Sequence, residues 1–263
     1  MKGLFILDTN AYQNIYGPDE REAIARMVEL VAPQRTREQV REDPAVLRTV
    51  EVVFSGWGGP RMDAAFLEAA PALKAVFYGA GSVRGIVTDA FWERGILITS
   101  AYAANAIPVA EYTLSQILFC LKQGWYYARA MREAKRKPPR VSVAGAYGST
   151  VGIISLGMVG RRVCELLRPF DLKVLAYDPY VEESSAAQLG VTLCGLDEIF
   201  ARADVVSLHT PWLPETEGMI TGAHFSAMKP GAAFLNTARG AIVREAEMIA
   251  VLQQRPDIQV VLD

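Results

Sequence analysis

The chain has 263 residues, 51% of them hydrophobic and 21% charged, with a formal net charge of −2. That apolar content excludes a disordered chain, and 21 Gly with 14 Pro in no repeating period exclude a collagen-like or low-complexity one. The near-neutral balance gives no electrostatic reason to expect nucleic acid or an anionic membrane as the main partner. The length admits two domains.

Cys120, Cys164 and Cys194 are odd in number, far apart and without a CxxC pair. They point away from a disulfide framework or a zinc site and towards a reducing compartment, so a cytoplasmic protein is expected. Between Lys2-Gly3 and Asp8 lie only Leu4 to Leu7, too short a core for a signal peptide. The uncharged run Val141–Gly160 holds too many Gly, Ser and Thr for a membrane span.

Apolar strand-like runs alternate with amphipathic stretches, the pattern of a parallel sheet with crossover helices. In chain order, strands are expected at Gly3–Leu7, Val50–Ser55, Ala75–Tyr78 and Ile96–Thr99, with helices at Glu20–Val31 and Asp63–Ala70. The loop Gly79-Ala80-Gly81-Ser82 closes the third strand, where open α/β sheets carry ligand loops. Pro108 stands near the first turn of a helix over Val109–Lys122. The basic stretch Arg129–Arg140 reads as a solvated linker, or as an arm packed on a second subunit, rather than as a nucleic-acid patch. The expected division is a first lobe over 1–102, a connecting helix and basic loop over 103–140, and a second domain over 141–263.

In that second domain, strands are expected at Val151–Ser155, Lys173–Tyr177, Ala203–Leu208, Ala232–Asn236 and Ile258–Leu262. Helices are expected at Gly157–Leu167 and Arg244–Gln254. Val151 to Gly160 runs from strand to helix through a glycine turn, Ser155-Leu-Gly157-Met-Val-Gly160. In a dinucleotide fold Gly157 lets backbone N–H groups reach a pyrophosphate, and Gly160 lets the helix pack close on the strand. Ser155 replaces the first glycine, so tight helix–strand packing alone remains an alternative. Asp178 lies 18 residues past Gly160, at the end of the next strand, where a carboxylate can accept both ribose hydroxyls. Pro179 and Tyr180 bring no basic group for a 2′-phosphate, which favours NAD over NADP; a turn-capping Asp is the alternative. At the end of a later strand Thr237-Ala238-Arg239-Gly240 offers a guanidinium fork for a carboxylate, with a surface ion pair as the alternative.

From about Leu73 onward these residues resemble the D-2-hydroxyacid dehydrogenase family, which includes phosphoglycerate and glyoxylate/hydroxypyruvate dehydrogenases. The resemblance is carried by Gly79 to Ser82, Arg94 to Thr99, Asn105 with Val109-Ala-Glu111, and the glycine turn. It continues through Asp204 to Pro211, Pro214-Glu-Thr216, Met228 to Gly231 and Asn236 to Gly240. It implies an α/β fold of two lobes: a flavodoxin-like substrate lobe and a Rossmann NAD-binding lobe with a parallel sheet. It also implies hydride transfer between NAD(H) and C2 of a 2-hydroxy or 2-keto acid, and a homodimer.

By the same resemblance, Arg239 binds and polarises the substrate, and the amides of Ala80 and Gly81 hold its carboxylate. Ser82, Val83, Trp57 and Tyr102 are pocket residues. Gly157, Met158, Val159, Gly160 and Asp178 contact pyrophosphate and ribose. His209, Thr210, Pro211 and Thr216 lie on the adenosine side, Thr237 and Ala238 near the nicotinamide ribose, and Asp263 faces the carboxamide. Relatives add a glutamate and then a histidine beyond the position of Asp263. The expectation is therefore a chain that stops short of that segment, with His209 and His224 assigned to structure or cofactor packing. An NAD(H)-binding regulator without turnover is the alternative function. A methyltransferase leaves Thr237–Gly240 without a purpose.

Overall fold

A computed structural model describes residues 1–263, which divide into two compact units, Met1–Asn105 and Ala106–Asp263. In the first unit the order is β1 (Lys2–Ile6), α1 (Thr9–Ile15), α2 (Pro18–Met27), β2 (Glu29–Leu30), α3 (Arg37–Glu42), β3 (Val52–Ser55), α4 (Ala64–Ala69), β4 (Ala75–Tyr78), α5 (Asp89–Glu93) and β5 (Leu97–Ser100). Helix α6 (Tyr102–Leu121) begins here and continues into the second unit. The five strands are parallel in the order β2-β1-β3-β4-β5, the flavodoxin-like winding. Leu4, Val53 and Val76 face one core with Phe66 and Phe91, while Phe5, Val52 and Phe54 face another with Ala11 and Tyr16.

Two expectations change here. The periodic stretch read as a helix over Glu20–Val31 ends at Met27, because Glu29 and Leu30 pair with Lys2 and Gly3 as an edge strand. Helix α6 starts at Tyr102, seven residues before the expected Val109, and carries Pro108 inside it. Its buried stripe of Ala106, Ala110, Thr113, Ile117 and Cys120 runs past the proline, so packing outweighs the one backbone bond Pro cannot donate.

The second unit continues with α7 (Gly124–Ala134), β6 (Thr150–Ile154), α8 (Met158–Leu167), β7 (Lys173–Tyr177), α9 (Glu183–Leu189), β8 (Thr192–Leu193), α10 (Leu196–Arg202), β9 (Val205–Leu208), α11 (Gly222–Ala227), β10 (Ala233–Asn236), α12 (Glu245–Gln254) and β11 (Gln259–Leu262). Its six parallel strands lie in the order β11-β10-β9-β6-β7-β8. Read from β8 this is the 3-2-1-4-5-6 winding of a Rossmann sheet, with the switch point between β6 and β9. Strands β9 and β10 are buried at every position, as a parallel sheet covered on both faces requires. The basic stretch read as a loop is helical as far as Ala134, so Arg129 and Arg132 sit on α7. No helix of the protein is long and apolar enough to cross a membrane.

Candidate active site

The switch point places two loops side by side at the carboxyl ends of β6 and β9: Ser155–Gly157 and His209–Pro211. Helix α8 starts immediately after Gly157 and has no side-chain cap, so its first-turn N–H groups have no side chain of the chain to serve. A Cβ on Gly157 would meet nothing within 4 Å, so the space before the helix is open. A Cβ on Gly160 would lie 2.1 Å from the Ser155 carbonyl oxygen. The two glycines therefore differ: one faces open space, the other lets α8 close on the turn.

Ser155, in place of the first glycine, adopts φ 73°, a left-handed conformation that costs a side-chain-bearing residue about 1 kcal/mol. Its hydroxyl lies 2.8 Å from that of buried Thr210, which holds the strained turn against the β9 loop. Asp178, at the end of β7, accepts from the Leu156 amide at 2.8 Å and the Tyr180 amide at 2.9 Å, one bond on each oxygen. Each oxygen keeps an acceptor site, so the carboxylate can fix the glycine turn and still take a ribose hydroxyl. An uncapped helix start, an open glycine and a strand-end carboxylate together fit a dinucleotide.

Thr216 closes its own turn, accepting from the Leu213 amide and donating to the Pro211 carbonyl, so it shapes the loop that carries Pro211. At the end of β10 the Asn236 side chain is buried and clamps the next loop. Its Oδ1 accepts from the Ala238 amide at 2.9 Å, and its Nδ2 donates to the Arg239 carbonyl at 3.0 Å. Arg239 is exposed, and its Nη1 donates only to the Ala238 carbonyl. No acidic side chain pairs with it, so the ion-pair alternative does not describe this guanidinium. Asp263 follows β11, and its amide donates to the Asn236 carbonyl.

In the first unit Gly56-Trp57, Gly79–Ser82 and Ala101-Tyr102 follow β3, β4 and β5 and so share the carboxyl edge of that sheet. Trp57 and Tyr102 are exposed. Ala80 is buried, and its carbonyl accepts from the Ala101 amide at 3.0 Å. A Cβ on Gly79 would overlap Ile15 at 2.3 Å, so the loop lies hard against α1. The Tyr16 hydroxyl donates to the Ser55 carbonyl beside it.

Neither histidine has a ring nitrogen to spare. His209 bonds Ser207 through Nε2 and Thr237 through Nδ1, while His224 bonds Thr221 through Nδ1 and contacts Asp197 through Nε2. Burial lowers the His209 pKa to about 4, so it is neutral near pH 7. Below about pH 6.5 the unfolded chain takes up a proton that the folded chain refuses. Stability should therefore fall between about pH 6.5 and pH 4, by about 2 kcal/mol for a side chain that is half-buried by accessible surface. Urea midpoints measured across that range should drop more steeply for the unaltered protein than for His209→Gln. Parallel curves would refute the assignment.

Residues 114–263 match the family model described as D-isomer specific 2-hydroxyacid dehydrogenase, NAD binding domain. The chain belongs to this family. The D-2-hydroxyacid dehydrogenase assignment is supported by sequence relatives. D-3-phosphoglycerate dehydrogenase of Mycobacterium tuberculosis is 38% identical over 187 residues, covering 71% of this chain and 35% of the relative. That of Archaeoglobus fulgidus is 33% identical over 193 residues, covering 73% and 37%. The chain thus spans little more than a third of the curated relatives it matches. Among solved structures, D-lactate dehydrogenase from Aquifex aeolicus, complexed with NAD and lactic acid, has a TM-score of 0.74 at 26% identity. The alignment covers 99% of this chain and 76% of that one. An NAD-complexed dehydrogenase of Lactobacillus delbrueckii ssp. bulgaricus, at 23% identity and a TM-score of 0.81, shares the fold.

Three residues bonded into this geometry, Asn236, Thr113 and Leu156, were not singled out from the sequence as site residues. Asn236 was legible: an Asn two residues before the amide it binds is an Asx turn. Thr113 and the Leu156 amide were not, because their partners Thr237 and Asp178 are distant in sequence.

Proposed function

We propose that the protein is an NAD-dependent oxidoreductase that moves a hydride between nicotinamide and C2 of a 2-hydroxy or 2-keto acid. The observation that carries the reading is Arg239, an exposed guanidinium without an acidic partner. It stands at the carboxyl end of β10 in the sheet whose switch point bears the glycine turn. Its planar fork suits a carboxylate and the adjacent C2 oxygen, and would stabilise charge developing on that oxygen. The free N–H groups of α8 and the Asp178 carboxylate would bind pyrophosphate and ribose, with Thr210 and Pro211 beside the turn and Thr237 and Ala238 beside Arg239. Asp263, after β11, is the proposed partner of the carboxamide. Ala80, Gly81 and Ser82 are the proposed carboxylate loop of the first unit. NAD, when bound, supplies the hydride acceptor or donor. Both ring nitrogens of His209 and His224 are engaged within the chain, so neither serves as the proton donor to the C2 oxygen.

A homodimer is also proposed. The exposed pair Phe119 and Trp125, in edge contact at 5.1 Å on α6 and α7, offers apolar surface for a second copy. Three unpaired cysteines, two of them buried, support a reducing, cytoplasmic setting.

The reading is tested by following NADH consumption with glyoxylate, pyruvate, hydroxypyruvate and longer 2-keto acids in the full-length protein. Turnover is expected with at least one. NADH binding without turnover of any would favour a regulator. Cofactor choice gives a sharper check: NADH should bind at least about tenfold more tightly than NADPH, because the Asp178 carboxylate repels a 2′-phosphate. Asp178→Ala should narrow that gap, and it should also weaken NADH by releasing the Leu156 amide. Equal affinities in the unaltered protein, by fluorescence titration, would contradict the role given to Asp178.

A further inference from the structure

Four side chains form a hydrogen-bonded line through the second unit. Ser207 Oγ lies 2.9 Å from His209 Nε2, His209 Nδ1 3.3 Å from Thr237 Oγ1, and Thr237 Oγ1 3.4 Å from Thr113 Oγ1. Thr113 in turn donates to the Val109 carbonyl of its own helix at 2.8 Å. The line crosses from β9 through its following loop to the loop after β10, and ends on α6.

The direction of each bond follows from the end that cannot change. A carbonyl only accepts, so the Thr113 proton goes to Val109, and Thr113 Oγ1 is left as an acceptor for the Thr237 hydroxyl. Thr237 then accepts from His209, which places the imidazole proton on Nδ1. The bare Nε2 accepts from Ser207, whose buried hydroxyl has no other partner. The opposite tautomer would leave the Ser207 proton without an acceptor in a fully buried site, a cost of about 1–3 kcal/mol. One tautomer satisfies every proton in the line.

Thr113 is the only polar residue among the buried positions of α6, the others being Ala106, Ala110, Ile117, Cys120 and Leu121. A threonine that merely bonds the carbonyl four residues back is common in helices and needs no second partner. Here the same hydroxyl sits against Thr237, two residues before Arg239. We propose that Thr113 and His209 are positioning residues: through Thr237 they tie the loop that carries Arg239 to helix α6, and Asn236 clamps the same loop from the other side. Helix α6 is also the chain connection between the two units, so its placement and that of Arg239 are linked by side-chain bonds. The consequence for substrate rests on the role proposed for Arg239; the tie itself does not.

The test uses the full-length protein with Thr113→Val, which keeps the shape and removes the hydroxyl, and Thr113→Ser, which restores it. Hydrogen exchange of the Ala238 amide, held on Asn236, should speed up by roughly fivefold or more in Thr113→Val and return to within about twofold in Thr113→Ser. The keto-acid KM should rise by about tenfold in Thr113→Val while NADH affinity holds. In the unaltered protein, nitrogen-15 NMR of the His209 ring should show a protonated Nδ1 and a bare Nε2 near pH 7. An Ala238 amide that exchanges at the native rate in Thr113→Val, or a proton on Nε2, overturns the proposal. If Thr113→Val does not fold, the tautomer alone decides. Faster exchange with an unchanged keto-acid KM supports the tie and removes instead the substrate role of Arg239.

Discussion

Arg239→Lys is expected to lower kcat/KM for the keto acid by about 30- to 1,000-fold, on the order of 2–4 kcal/mol, in the full-length protein. Lysine keeps the charge and reaches nearly as far, so electrostatic attraction to a carboxylate survives. It lacks the planar pair of donors that would contact the carboxylate and the C2 oxygen together. The Nη1 bond to the Ala238 carbonyl at 2.6 Å orients the planar fork, whereas an ammonium bonded to that carbonyl would leave no second pair of donors fixed in one plane. NADH affinity should stay within about twofold, because the turn, α8 and Asp178 are untouched. Steady-state kinetics with the preferred keto acid, beside NADH fluorescence titration, separates the two effects. A variant that loses NADH and keeps its keto-acid KM would move Arg239 to the cofactor side.

Strands β4 and β7 could be read from sequence to the residue, since Ala75–Tyr78 and Lys173–Tyr177 are apolar runs bounded by turn signals. The short helices α9 and α10 are seven residues long, fewer than two turns, and present too few periods to separate from loop. Helix α7 was hidden differently: its basic residues suggested a solvated linker or an arm packed on a second subunit, although Trp125, Tyr126 and Met131 share its surface.

At the site, the residue types were legible and their mutual bonds were not. Ser155 read as a flaw in a glycine fingerprint. In the structure it takes the left-handed conformation a glycine would, and it bonds Thr210, 55 residues away. Asp178 could be placed at a strand end from spacing alone. That it also anchors the Leu156 amide depends on how β6 and β7 pair, Ile154 opposite Tyr177.

Gly160→Ala should be the most damaging small substitution in the second unit. The added methyl would sit 2.1 Å from the Ser155 carbonyl oxygen and 3.2 Å from its carbon, both backbone atoms that no rotamer change can move. Either α8 slides off the turn or the strained Ser155 backbone gives way, and overpacking of this kind costs about 1–3 kcal/mol or more. The movement displaces the N–H groups of Met158 and Val159, so NADH affinity should fall by at least about tenfold. Gly157→Ala gives the contrast. Its methyl meets no protein atom within 4 Å, and the residue has φ −73°, open to any side chain. Stability should change by less than about 1 kcal/mol, while NADH binding still weakens because the methyl projects into the space the pyrophosphate needs. Urea denaturation beside NADH titration on the two variants reads this difference. Equal destabilisation by both, or full NADH affinity in Gly157→Ala, would mean that the open face before α8 is not where the cofactor's phosphates lie.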